Sequence, residues 1–313
     1  MPYLVTGATG FIGSYVVRNL MEAGEGFVAF DRSPKGALPM VLGPRASSVQ
    51  VEVGDVADLA HILRVVKEHK IDRIIHLAAE LHLASAANPW RCIQSNIMGE
   101  YNVLEASRLF DVLKVVRVSS ASLFGTVDKH PSGSLRNDAR HYPHGIYEAS
   151  KEFGELLGAF YSETYGVDTV DLRLGLVYGY GVLDGIGWRI VNELVIKPAQ
   201  GLPGRVPWGD ELINWTYAKD AANALVCACK APRSSTYAYN VRGDPRRIRD
   251  AVEITRALIP GADVGADAGQ NGWAQDFDDA MFRSDTGFRS AYTLEDGLRD
   301  TMMMVRAHGT ENS

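Results

Sequence analysis

Cysteine is scarce in this chain: Cys92, Cys227 and Cys229 are its three thiols in 313 residues. An odd, sparse count without a zinc-like spacing offers no disulfide framework and no metal site, and it suits a reducing cytoplasm. Positive charge is not in excess either. Lys and Arg number 32 against 38 Asp and Glu, a formal net charge of −6, which argues against a nucleic-acid partner. No apolar run is long enough to span a bilayer, so no membrane association is expected. The chain opens directly into a strand-like segment, and no signal peptide is expected ahead of it. There is no internal repeat and no low-complexity tract. What remains is ordinary globular composition, 46% hydrophobic and 22% charged, enough for one large domain or two smaller ones.

Glycine is placed with purpose at the start. Tyr3, Leu4 and Val5 form a short apolar run that reads as a buried strand. It breaks into a turn carrying Gly7, Gly10 and Gly13, and Ile12, Val16, Val17 and Leu20 then recur on one helix face. Strand, glycine turn and helix form the layout of a dinucleotide site. Gly7 serves the tight turn, Gly10 the close approach of a pyrophosphate, and Gly13 the packing of helix on strand. The pyrophosphate would rest on N–H groups at the helix start, where the helix dipole favours an anion. The spacing is GxxGxxG rather than the general GxGxxG. A second strand, 28–31, ends in Asp31, roughly 20 residues past the glycines, where an acid meets the adenosine ribose. A carboxylate there accepts from the 2′-hydroxyl and repels a 2′-phosphate, which favours NAD over NADP. Arg32 beside it pulls the other way, because a guanidinium could hold that phosphate.

Strands and helices alternate through the first half. Strands are expected at 49–53, 73–78, 113–119 and 167–174, and helices at 59–69, 89–110 and 147–165, with a Pro/Gly-rich loop running from 32 to about 44. Alternating βαβ units with continuous apolar strands imply a parallel sheet covered on both faces and, with right-handed crossovers, doubly wound. The second half changes character. Glycines are frequent from 179 to 209, with Pro198, Pro203 and Pro207 among them; 237–241 is strand-like, and 250–258 and 294–305 read as helices. The expected division is a Rossmann domain over 1–175, with a return segment near 214–241. A smaller C-terminal α/β substrate lid would comprise 176–213 and 242–313, packed over the strand ends where ligands bind in open α/β sheets.

Tyr147-Glu148-Ala149-Ser150-Lys151 is the sharpest chemical signal. Tyr and Lys at i and i+4 share one helix face. A free phenol, with a pKa of about 10, is a poor base at neutral pH, and a nearby ammonium together with an oxidised nicotinamide favours the phenolate. Such a tyrosine can take the proton of a substrate hydroxyl while hydride leaves the same carbon.

With these motifs in view, the chain resembles an extended short-chain dehydrogenase/reductase of the NAD-dependent epimerase/dehydratase family, with matching elements from Tyr3 to about Arg306. The family's glycine motif is seen as Thr6-Gly7-Ala8-Thr9-Gly10-Phe11-Ile12-Gly13, its adenine-contacting pair as Asp55-Val56, and its post-strand cofactor loop as His76-Leu77-Ala78-Ala79. Its serine strand is seen as Val118-Ser119-Ser120-Ala121-Ser122-Leu123-Phe124-Gly125, and its catalytic pair as Tyr147 and Lys151. The resemblance implies that Thr9, Phe11, Ile12, Leu77, Ala78, Ala79, Ser119, Tyr147 and Leu174 also border NAD. It implies Tyr147 as acid/base, and Lys151 as the group that holds the nicotinamide ribose and tunes Tyr147. The hydroxyl that steadies the reacting oxygen falls on Ser120, with Ser119 and Ser122 near misses and a plain strand-end residue the alternative. Asn96 matches a family helix asparagine near the active site, and could equally be a helix-packing amide. A homodimer through the helices starting near Pro89 and Tyr147 is implied as well, with Val103, Phe153, Leu157 and Phe160 as its apolar contributors.

Departures from the family bear on the substrate. Dehydratases carry an Asp-Glu pair after the catalytic hydroxyl; here Ala121 and Ser122 stand there. Nucleotide-sugar epimerases usually place an asparagine where this chain has Leu176, and a diphosphate-gripping arginine where it has Ile213. Arg189, Arg205, Arg242 or Arg283 could replace that grip. The leading expectation is therefore an NAD-dependent oxidoreductase acting at a hydroxyl or keto carbon of a small polar substrate, such as a sugar acid, free sugar or hydroxy acid. Ser120, Ser122, Leu176 and Ile213 are the candidate substrate contacts. A nucleotide-sugar 4-epimerase with transient oxidation uses the same residues. A non-catalytic NAD-sensing protein is the third reading, disfavoured by the presence of Ser120, Tyr147 and Lys151.

Overall fold

The computed structural model describes residues 2–131 and 133–308. A seven-stranded sheet organises the molecule. In chain order its strands are β1 (Tyr3–Thr6), β2 (Phe27–Asp31), β3 (Val51–Val53), β4 (Arg73–His76), β5 (Lys114–Ser120), β6 (Thr169–Leu174) and, later, β10 (Ala238–Asn240). They lie in the order β10-β6-β5-β4-β1-β2-β3, and every pairing is parallel. The order reverses on either side of β1 and β4, which opens the crevice of a Rossmann fold at the strand ends.

Helices cover both faces because the strands are apolar on both. On one face the helix Phe11–Glu22 buries Tyr15, Val16, Val17 and Leu20 beside the helix Ala218–Lys230. The latter presents Ala218, Ala221, Ala222 and Leu225, small side chains that let two helices and the sheet approach closely. On the other face Ile62, Val65 and Val66 pack with Val103, Leu104 and Tyr161 over Leu4, Ile74 and Val115. Among the described residues no helix is long and apolar enough to cross a membrane.

The remaining strands are β7 (Leu176–Tyr178), β8 (Gly204–Val206), β9 (Leu212–Tyr217), β11 (Asp244–Arg247) and β12 (Val264–Ala266). They form a three-stranded sheet, β11-β9-β7, and a two-stranded sheet, β12-β8. A second core of Tyr178, Trp215, Tyr217, Val252, Leu294 and Leu298 holds these to the helices Ile248–Leu258 and Leu294–His308.

Three segments differ from the sequence reading. The loop after Asp31 contains a short helix, Leu38–Leu42, and a 3-10 turn, Gly43–Ser48. Residues 214–217, read as part of the return to the main sheet, lie in β9 of the small sheet. The expected helix over 89–110 is interrupted. Pro89–Cys92 is α-helical, Ile93–Met98 widens into a π-turn, and Gly99–Leu109 resumes the α-helix. The cause is Asn96, whose Oδ1 accepts from the Glu80 N–H at 2.7 Å while its Nδ2 donates to the Glu80 carbonyl and to Ser150 Oγ. Turning that amide inward costs the helix one residue of register, a distortion met often beside functional sites.

Candidate active site

The site is built from the sheet's upper edge outward. β1 ends at Thr6, and Gly7 takes φ +68°, a conformation that side chains resist; a Cβ there would stand 2.8 Å from the Ala78 nitrogen. A Cβ on Gly13 would lie 2.0 Å from the Gly7 carbonyl oxygen, so only glycine lets the helix start this close to the turn. The helix's N-cap is Gly10, which supplies no side-chain cap. Its first N–H groups are therefore free of side-chain competition for an anion. Gly7, Thr9, Gly10, Val56, Leu77, Ala78 and Ala79 line one continuous groove with Asp31 and Arg32. A backbone cradle that any Cβ would fill, open helix N–H groups and a carboxylate at the far end fit a dinucleotide such as NAD.

At the adenosine end Asp31 accepts from the Thr9 N–H at 3.1 Å and the Ser33 N–H at 3.4 Å, which fixes the carboxylate against the glycine turn. Arg32 turns across the groove edge to Glu80 at 2.8 Å. Glu80 also meets Arg91, and Arg91 pairs with Asp55 at 2.9 Å. Burial works against the Asp55 charge, but the Ala57 N–H and Arg91 outweigh it and hold the carboxyl below its ordinary range. Arg32 is thus already engaged by an acid, which leaves Asp31 as the feature that sets the character of this corner.

β5 ends at Ser120, and the helix Ile146–Tyr165 carries Tyr147 and Lys151. Ser120 Oγ lies 2.8 Å from Ser122 Oγ and accepts from the Ser122 N–H. Ser119 points the other way, donating to Glu155 at 2.6 Å inside the protein, so its side chain is taken out of the groove. Lys151 Nζ donates to the Val118 carbonyl at 2.7 Å and lies 3.8 Å from Glu100. Asn96, tied to Glu80 and Ser150, fastens the loop after β4 to the Tyr147 helix and has no amide donor left pointing outward. Leu174 ends β6 buried. Leu176 is half-buried at the start of β7, and Ile213 packs inside the core of the small sheet.

Beneath Lys151 runs a charge network that the sequence reading missed. Arg117, fully buried on β5, donates to Glu100 at 2.8 Å, Asp171 at 2.5 Å, the Gly154 carbonyl and Thr169. Arg173 forks onto Glu155 at 2.9 and 2.6 Å. Two strand residues thus clamp two helices through charge-assisted bonds. Charged residues within an apolar strand were the available signal. Also missed were His82 and Glu148, which flank Tyr147.

His76 closes the network. Its Nδ1 lies 2.7 Å from Thr6 Oγ1, and its Nε2 is buried without a partner among the described residues. Burial pushes its pKa down to about 4; Glu100 opposes this, while Lys151 and Arg117 add to it. The unfolded chain takes up a proton below pH 6.5 that the folded chain refuses until about pH 4. Stability from this group is therefore present above 6.5 and lost as pH falls toward 4, a change on the order of 3 kcal/mol. Denaturant melts from pH 7 to 4.5 should show a shallower loss in His76→Asn than in the unmodified protein; parallel curves would mean that His76 is not a source of the acid sensitivity.

Comparison with known proteins agrees with the geometry. The sequence pattern of the NAD dependent epimerase/dehydratase family matches residues 3–241. A dTDP-glucose 4,6-dehydratase of Xanthomonas campestris is 25% identical over 96% of this chain and 92% of its own. Among solved structures, a partial-consensus L-threonine 3-dehydrogenase superposes with a TM-score of 0.88 at 25% identity, over 98% of this chain and 100% of its own. The Thermus thermophilus UDP-glucose 4-epimerase, a complex with NAD, superposes with a TM-score of 0.84 at 24% identity over 98% and 100%. The glycine cradle, the Asp31 corner and the family match together identify the chain as an NAD-using enzyme that belongs to the NAD-dependent epimerase/dehydratase family.

Proposed function

We propose that this enzyme is an NAD-dependent dehydrogenase acting at a hydroxyl or keto carbon of a small polar substrate: a sugar acid, a free sugar or a hydroxy acid. The observation that carries the reading is the loss of two usual diphosphate contacts, with Arg189, exposed on the helix Gly185–Val191 and in no ion pair among the described residues, the one arginine of the four left to replace them. Two phosphate charges in a closed site need charged donors, because burying them unpaired is expensive. Ile213 and Leu176 donate nothing. Three of the arginines that could compensate are turned to neighbouring acids: Arg205 to Asp263 at 2.6 Å, Arg242 to Asp276 at 3.2 Å, and Arg283 to Asp279 at 2.9 Å. The likeness to a threonine dehydrogenase, whose named substrate is small, supports the same choice.

In this reading Tyr147 accepts the substrate hydroxyl proton, Ser120 holds the reacting oxygen with Ser122 beside it, and Lys151 leaves Val118 to bind the ribose. The cofactor supplies the hydride acceptor. Strands β1–β6 and their helices hold the cofactor, with 176–217 and 242–308 above it. A nucleotide-sugar 4-epimerase is the second reading, favoured by the activity named for the Thermus neighbour. Release of NADH with sugar acids, hydroxy acids and free sugars, followed at 340 nm, separates the two. Calorimetry with uridine diphosphate on the NAD-loaded protein is the complementary measurement: micromolar binding would overturn the small-substrate reading in favour of the epimerase.

We also infer a homodimer through the helix Ile146–Tyr165. Two of the four expected contributors, Phe153 and Phe160, are exposed, and two are not. Val103 is wholly buried in its own protomer and Leu157 half-buried against the same core, whereas Phe153, Leu156 (64% exposed) and Phe160 lie on the outer face. Sedimentation should give twice 34.2 kDa at micromolar concentration, and Leu156→Glu should halve it; a single-chain mass for the unmodified protein would reject the dimer.

A further inference from the structure

Glu148 has no part in the chemistry described so far, and its position is costly. It lies in the first turn of the Tyr147 helix, 1% exposed. One oxygen, Oε1, is 3.1 Å from His82 Nδ1; the other, Oε2, is buried without a hydrogen-bond partner among the described residues. A carboxylate taken out of water needs a partner, and the His82 imidazole is the side chain that meets it. The His82 side chain is 46% exposed, and its ring stands edge-on to that of Tyr147, with centroids 6.3 Å apart and planes at 88°. The preceding residue, Leu81, lies 3.9 Å from where a Cβ on Gly185 would stand, in the segment after β7. His82 therefore sits beside the phenol, where the main sheet's loops meet the smaller lobe.

An imidazole whose Nδ1 is turned in to a carboxylate carries Nε2 on its opposite edge, turned out. We propose that the Glu148–His82 pair is the subsite for a substrate carboxylate, the ring giving one N–H inward to Glu148 and the other outward to the substrate. This narrows the substrate to a hydroxy acid or sugar acid, and it rests on the reading that Tyr147 acts on a hydroxyl-bearing carbon of a small molecule. It also supplies an N–H donor where Arg205, Arg242 and Arg283 are held by their own acids. His82 binds, and Glu148 is a positioning residue acting through it.

Matched probes test the pairing on the full-length, NAD-loaded protein: D-galacturonate against D-galactose, D-gluconate against D-glucitol, and glycerate against glycerol. At least one acid should bind tenfold or more tightly than its neutral partner by calorimetry. His82→Gln should erase that advantage with NAD affinity unchanged, and Glu148→Gln should weaken it in the same sense. Nitrogen-15 spectra of ring-labelled histidine should show both His82 nitrogens protonated in the acid complex. Failure of all three acids to outbind their partners, or an advantage that survives His82→Gln, overturns the proposal. NADH release reports separately on the reading beneath it. Acids that bind through His82 without forming NADH uphold the subsite and reject the dehydrogenase, whereas neutral sugars oxidised equally by the unmodified protein and His82→Gln do the reverse.

Discussion

Tyr147→Phe should lower turnover by about 10²–10⁴-fold, the usual worth of a positioned acid/base, and leave NAD affinity within about twofold. The two effects separate because the structure separates their sources. The dinucleotide groove is made of the glycine turn, Asp31, Val56 and the 77–79 loop, none of which the phenolic oxygen supports. The ring of Phe still packs edge-on to His82 as Tyr147 does, so the helix start has no reason to move. Steady-state NADH formation with an acid identified by the paired screen, alongside fluorescence titration of NAD, measures both quantities. Activity within tenfold of the unmodified enzyme would place the proton path elsewhere, and a large loss of NAD affinity would show that the phenol has a binding role.

Different parts of this architecture were legible in the sequence for different reasons. The glycine turn and Asp31 could be read because cofactor geometry demands particular residue types at fixed spacing along one continuous stretch. Tyr147 and Lys151 could be read because one helical turn brings i and i+4 together. Periodicity carries no such information about partners distant in the chain. Glu100, Arg117 and Asp171 come from a helix and two strands, and each alone reads as a polar interruption of an apolar run. The π-turn at Ile93–Met98 depends on the hold of Asn96 on Glu80, sixteen residues away. β8, β11 and β12 span three or four residues, too few to show an alternation. Ser119 illustrates the same limit: a serine beside Ser120 looks like a groove residue until its bond to Glu155 is found.

The buried network makes two glycines of one helix respond in opposite ways to the same added methyl group. Gly154 and Gly158 both lie inside the helix Ile146–Tyr165, one turn apart, where glycine costs roughly 0.5–1 kcal/mol relative to alanine. At Gly154 a Cβ would meet the Glu100 carboxyl at 3.5 Å and Arg117 at 3.8 Å, ordinary contact. Gly154→Ala should therefore be neutral or slightly stabilising. At Gly158 a Cβ would stand 1.9 Å from Arg117 Nη2, and the guanidinium has nowhere to go. It is fully buried, with its nitrogens spent on Glu100, Asp171, Thr169 and the Gly154 carbonyl. Gly158→Ala must displace the guanidinium from those acids or lift the helix from the sheet. Breaking a buried ion pair so that its charges are left uncompensated costs about 3–5 kcal/mol, a Tm loss on the order of 10 °C in a chain of this size. Thermal melts of the two variants at one pH provide the check, and equal Tm values would mean that Arg117 relaxes freely and does not lock the helix. Because Tyr147 and Lys151 ride on that helix, and Lys151 itself lies 3.8 Å from Glu100, Gly158→Ala should also depress turnover at temperatures well below its melt, while Gly154→Ala should not.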